Sequence, residues 1–111
     1  MRTMLSVAMR IDRWDARRDG LLTEVALRRK IEGYGYHVST CSWPAGTVLP
    51  AQTQDRDRAQ AVVSGVVKLT LDGESAILTG GDIVYVPRGA IRRVEVVGAS
   101  NAHCLDATWA R

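Results

Sequence analysis

The side chains able to do chemistry are few. His37 and His103 are the only histidines, too few for the three protein ligands of an ordinary catalytic zinc site. Cys41 and Cys104 are the only cysteines and lie outside any Cys-x-x-Cys arrangement. They could pair, but two reduced, mostly buried thiols are the expectation. No Ser-His-Asp set, phosphate-binding glycine loop or dinucleotide fingerprint is present. Arginines gather at residues 10–18, 28–30, 56–58 and 88–93, interleaved with Asp12, Asp15, Asp19, Asp55 and Asp57. Mixed-sign clusters of this kind read as solvated surface. An arginine turned inward is another matter. Its planar fork matches carboxylate and phosphate, and an uncompensated buried charge costs on the order of several kcal/mol.

A chain of 111 residues, 46% hydrophobic and 24% charged, fits one domain with a single core. Residues 1–13 read as an N-terminal arm or edge strand of that domain. The net charge of +3 is modest. With no helix-turn-helix, zinc finger or aromatic stacking platform, nucleic acid is not an expected partner. No run approaches the length of a membrane span. The stretch before residue 10 is mildly apolar and lacks a small-residue cleavage site, so no signal peptide is expected. A cytoplasmic location is the default expectation.

The elements that must hold any site are mostly strands. Residues 61–71 are rich in β-branched side chains, with Val67, Leu69 and Leu71 alternating against Lys68 and Thr70. Asp72-Gly73 is a hairpin turn, because glycine tolerates positive φ, and Glu74 to Leu78 returns as the partner strand. Gly80-Gly81 turns the chain again. Ile83 to Val86 is a short strand ended by Pro87, and further strands run from Ile91 to Val97 and from Ala102 to Trp109. Many short strands with turns between them predict an all-β barrel or sandwich, whose closure removes exposed edges. Residues 21–32 contain good helix formers, yet Val25, Leu27 and Ile31 also fit one strand face; a strand is expected there. Trp43, Trp109 and Tyr85 are expected to pack the barrel.

The stretch Gly81-Asp82-Ile83-Val84-Tyr85-Val86-Pro87-Arg88-Gly89-Ala90-Ile91-Arg92 resembles the second motif of the cupins: a glycine, five residues, Pro-x-Gly, two residues, histidine. Arg92 stands at the histidine. The first cupin motif can be traced from Gly46 to Gly65 in the same register, with Gln52 and Gln54 at its two histidine positions and Arg58 at its Glu or Gln position. The resemblance reaches from about Trp14 to the end of the chain, and small cupins commonly carry a strand over residues 21–32. It implies a cupin jelly roll in which the four metal-ligand positions hold Gln52, Gln54, Arg58 and Arg92. Glutamine is a poor ligand and arginine has no lone pair to offer, so no metal cofactor is expected.

If Arg58 and Arg92 point inward as the family's ligands do, something must neutralise them. Asp57, Glu95 and Asp106 are the internal candidates. Strand alternation puts Val94 and Val96 on the face of Arg92 and turns Arg93 and Glu95 away, while Cys104, Asp106 and Thr108 share one face. That favours Asp106 or an external anion. The ending from Cys104 to Arg111 also resembles the tail of small single-domain cupins that linearise unsaturated uronates, where the matching aspartate serves proton transfer; here it is Asp106. Three readings follow. In the leading one, a metal-free barrel binds a small anionic ligand through Gln52, Gln54, Arg58 and Arg92. A second is a metal-independent isomerase or epimerase using Asp106, with Tyr85 or His103, as acid and base. The third is a structural or regulatory module with a vestigial site. Cupins frequently pair, so a homodimer is expected.

Overall fold

The computed structural model describes residues 9–110, and the part of the expected N-terminal arm before Met9 lies outside them. The elements follow in the order β1 (Arg10–Asp12), α1 (Ala16–Asp19), α2 (Glu24–Glu32), β2 (Tyr36–Trp43), β3 (Val48–Thr53), β4 (Arg58–Ser64), β5 (Val66–Leu71), β6 (Glu74–Leu78), β7 (Ile83–Val86), β8 (Ile91–Val97) and β9 (Ala102–Trp109). They form two antiparallel sheets, one ordered β1-β7-β4-β9-β2 and the other β3-β8-β5-β6. This is an all-β jelly roll. No helix among the described residues is long and apolar enough to cross a membrane.

The β-rich run over residues 61–71 divides at Gly65, where the cupin resemblance implies a turn, and its halves β4 and β5 lie in different sheets. Gly65 makes the corner at φ +90°, and a Cβ there would stand 2.7 Å from the backbone oxygen of Asn101. Only a residue without a side chain fits that conformation and that space. The β5–β6 hairpin closes through Asp72 (φ 49°) and Gly73 (φ 87°), with Leu71 paired to Glu74. Two consecutive left-handed residues give the turn twist that matches paired strands.

Between the sheets lies one core: Val62, Val67, Leu69, Leu71, Leu78, Val84, Val86, Val94, Val96 and Cys104 are buried together. A second core covers the outer face of the five-stranded sheet. There Leu27 and Ile31 of α2 pack on Ala59, Ala61, Ile83, Leu105 and Ala107. The three alanines leave a shallow platform on which a helix can lie.

This second core corrects the strand expected over residues 21–32. Leu27 and Ile31 are four apart and face one side of a helix. Thr23 caps its start, its Oγ1 accepting the Ala26 amide at 3.0 Å. Glu24 in the first turn and Arg29 and Lys30 in the last turn suit the helix dipole. A strand would have placed Val25, Leu27 and Ile31 on one face, but only Leu27 and Ile31 are buried, and Val25 is 56% exposed.

Candidate functional site

The site is built from four strands and a loop. β4 carries Arg58, Gln60 and Val62 on its inner face; β8 carries Arg92, Val94 and Val96; β9 carries Cys104, Asp106 and Thr108. Register brings them together: Gln60 lies opposite Asp106 and Arg58 opposite Thr108, while Gln52 on β3 lies opposite Arg92. Between Leu49 and Gln52 the β3–β8 register shifts, an irregularity that re-aims the end of β3. Gln54 follows β3, its backbone held by the Ala90 carbonyl at 3.0 Å and the Gly89 amide at 2.8 Å.

Gln52, Thr53, Gln54, Asp55, Arg58 and Arg92 line one cavity of about 280 Å³. All four positions singled out by the two motifs therefore meet around a common space. Gln54 is nearly buried and turns its amide onto the Gln52 carbonyl at 3.0 Å, bracing β3. Gln52 itself is exposed.

Inward, the two guanidinium groups flank Asp106. Arg58 Nη1 lies 3.7 Å and Arg92 Nη1 4.0 Å from the Asp106 carboxylate. These separations are charge contacts, too long for hydrogen bonds. The actual bonds go elsewhere: Arg92 donates to Gln60 Oε1 at 3.0 Å, and Arg58 donates to Thr108 Oγ1 at 3.4 Å. Burial pulls the Arg92 guanidinium below its usual range, the Asp106 charge opposes that pull and the Arg58 charge adds to it. Three buried polar atoms at this point have no hydrogen-bond partner: Arg58 Nε, Gln60 Nε2 and Asp106 Oδ1. Asp55 approaches Arg58 at 3.6 Å but is 84% exposed, so water screens it heavily.

Of the three internal counter-charges, only Asp106 reaches the arginines. Asp57 instead accepts the Arg88 amide at 2.7 Å at the rim, and Glu95 faces away beside Lys68. Tyr85 and His103 do not accompany Asp106. Tyr85 is paired with Ala59 on the outer face and packs near Tyr36 and Tyr34. His103 bonds Glu24 at 2.8 Å and Ser42 at 3.0 Å, again outside the barrel. Alternation along β7 and β9 dictates both outcomes. Trp109 likewise stacks edge-on to Tyr36 at 5.1 Å outside, whereas Trp43 packs against the inner core.

Gln60 is the residue that the motifs did not point to. It is wholly buried and is the hydrogen-bond partner of Arg92. Counting two residues on from Arg58 along β4 would have found it.

The motif positions do not suit a divalent cation. Two of the four side chains are arginines, which offer no lone pair and repel a cation; the other two are neutral amides. The chemistry this arrangement supports is instead the recognition of negative charge or of hydrogen-bonding oxygens.

A jelly roll with four polar side chains converging at the places described defines a cupin-type barrel. The chain belongs to the cupin domain family, whose sequence model matches residues 39–108. No curated protein matches the chain in sequence. Among solved structures, AerE from Microcystis aeruginosa superposes with a TM-score of 0.62 at 14% identity, over 66% of this chain and 35% of AerE. The chain thus spans about a third of that protein. A cupin superfamily protein from Desulfitobacterium hafniense gives a TM-score of 0.60 at 20% identity, covering 68% of each chain. A predicted oxalate decarboxylase from Thermotoga maritima gives 0.60 at 12% identity, covering 71% of this chain and 70% of that one. At these identities the similarity establishes the fold alone.

Proposed function

We propose that this cupin barrel is a small-molecule binding protein whose ligand carries a carboxylate-type negative charge, held by Arg58 and Arg92 with help from Gln52 and Gln54. The observation that carries the reading is the charge balance. Among the described residues the two guanidinium groups share one inward carboxylate, Asp106, at distances of 3.7 and 4.0 Å; Arg58 otherwise meets only the solvent-screened Asp55 at 3.6 Å, and buried donors at Arg58 Nε and Gln60 Nε2 stay unused. Inside the barrel one positive charge, two donors and the Asp106 Oδ1 acceptor are left over. Buried polar groups are normally satisfied, and an unsatisfied one costs about 1–3 kcal/mol. A small anion in the cavity that Arg58 and Arg92 line would supply the missing negative charge. Water could satisfy the donors but not the charge.

A thermal-shift panel of mono- and dicarboxylates, sugar acids and matched neutral sugars tests this. A ligand at about a hundred times its Kd adds about 2.7 kcal/mol to stability, a shift of several degrees for a domain of this size. Carboxylates are expected to raise Tm and neutral sugars to leave it unchanged. The carboxylate shift is expected to vanish in Arg92→Gln. If no acid in the panel stabilises the protein, the binding reading fails.

A further inference from the structure

Cys41 on β2 and Cys104 on β9 are direct cross-strand partners. Residues facing each other across an antiparallel ladder have Cα atoms about 4.5–5.5 Å apart, and disulfides need about 4.4–6.8 Å, so the two backbones already stand within bridging reach. Both thiols are free. Cys41 is half-buried on β2, which among the described residues pairs only with β9; Cys104 is wholly buried. They differ in character as well as access. The neighbouring Cys104 thiol pulls the Cys41 thiol below its usual range, burial and the Asp106 charge oppose that pull, and the Arg92 charge assists it. Cys104 is pushed up, by the Cys41 thiol beside it first and by burial second.

We propose that Cys41 and Cys104 form a redox-active pair that a small hydroperoxide converts to an intramolecular disulfide at the floor of the Arg92–Asp106 site. The Cys41 thiolate attacks one peroxide oxygen: an S–O bond forms, the O–O bond breaks, the sulfur loses two electrons, and the other oxygen takes up the proton the thiol had released and leaves as water or alcohol. The Cys104 thiol then attacks the sulfenic sulfur. An S–S bond forms, the S–O bond breaks, and the hydroxyl leaves as water with the Cys104 proton. Access makes Cys41 the attacking residue, since it is half-buried while Cys104 is wholly buried, and its cross-strand position makes Cys104 the resolving one. Cys104 and Asp106 are two residues apart on one face of β9, so the new bond sits beside the carboxylate that faces both arginines.

The full chain, reduced and then treated with hydrogen peroxide, tests this without any ligand. Free thiols are counted after denaturation, and peptide mass spectrometry locates any link. The expected result is loss of both thiols, a Cys41–Cys104 linked peptide two hydrogens lighter than its parts, no cross-linked dimer on a non-reducing gel, and full recovery with dithiothreitol. In Cys104→Ala, Cys41 is expected to be trapped by dimedone as the sulfenic acid; in Cys41→Ser, Cys104 is expected to remain a thiol. Retention of both thiols, over-oxidation of Cys41 without a link, or a link between two chains would each overturn the proposal. A failure of carboxylate binding leaves this result untouched.

Discussion

Asp106 carries the charge that opposes both arginines, and its position explains how two guanidinium groups coexist in one barrel. Removing one partner of a fully buried ion pair costs about 3–5 kcal/mol. Asp106 is 31% exposed and its contacts are long, so solvent lowers that figure. Asp106→Asn is therefore expected to destabilise the protein by about 1–3 kcal/mol, read as a lower urea midpoint. The same variant is expected to gain more stability from added acetate than the parent does, because the anion replaces the missing carboxylate. Equal acetate effects on the two proteins would mean that Asp106 and an external anion do not share a place. At this scale the sequence was informative wherever alternation held: Arg92 with Val94, and Cys104 with Asp106 and Thr108, share the faces that period-two reading assigns. Gln60 escaped notice because no motif position falls on it.

At the scale of elements, strands β5 to β9 were legible, whereas the bounds of β2 and β3 and the two helices were not. Strands of sheets covered on both faces are apolar on both faces, and Ala61-Val62-Val63, Ile83-Val84 and Cys104-Leu105 show that pattern. Those runs imply a layer outside the five-stranded sheet, which α2 provides. Leu27→Ala, which empties part of that layer, is expected to cost about 2–5 kcal/mol in chemical denaturation, while the exposed Val25→Ala changes stability by less than about 0.5 kcal/mol. The motif glycines divide in the same way. Gly65 and Gly46 both have positive φ, but a Cβ at Gly65 meets backbone at 2.7 and 2.8 Å, whereas one at Gly46 meets nothing within 4 Å. Gly46→Ala is expected to cost about 1–2 kcal/mol of backbone strain, and Gly65→Ala clearly more, since the β4–β5 corner must move. Similar losses at both positions would show that packing at the corner is not what selects the glycine.

For the whole molecule, the N-terminal segment is fastened to the barrel by charge. Arg18 and Lys30 hold Asp19 at 2.8 and 3.1 Å, and Lys30 also holds Asp12 at 3.2 Å, linking β1, α1 and α2. Arg13 reaches Asp82 at 2.7 Å. The hydrogen bond from Arg18 holds the Asp19 carboxyl well below the usual carboxylate range, with the Asp15 amide and Lys30 assisting. A depressed folded-state pKa contributes stability above the unfolded value of about 3.9, and that stability is lost as pH falls below it. Tyr85 behaves oppositely: burial, then the neighbouring Tyr34 and Asp12, push its hydroxyl up to about 12. Its contribution is intact below the unfolded value of about 10 and is lost as pH rises toward 12. Urea midpoints are expected to fall at both ends of the pH scale. Asp19→Asn should flatten the acid limb and Tyr85→Phe the alkaline one; limbs unchanged in these variants would assign the pH dependence to other groups.

Local rules decided much in advance. Turn chemistry at Asp72-Gly73 and alternation along β7, β8 and β9 are written in neighbouring residues, and the spacing of Gly46, Gly65, Gly81 and Gly89 carried the cupin frame. Those features depend on backbone freedom and side-chain period, which act over a few residues. Tertiary structure decided the rest. Whether residues 21–32 coil or extend depends on the platform of Ala59, Ala61 and Ala107 found far along the chain. The choice of Asp106 over Asp57 as partner of Arg58 and Arg92 depends on how β4, β8 and β9 stack. The meeting of Cys41 with Cys104 depends on the β2–β9 register. The last two are contacts between residues remote in sequence that no local preference encodes; for α2 the local signals, the Thr23 cap and the Leu27–Ile31 spacing, were present and the platform decided between them and the strand pattern.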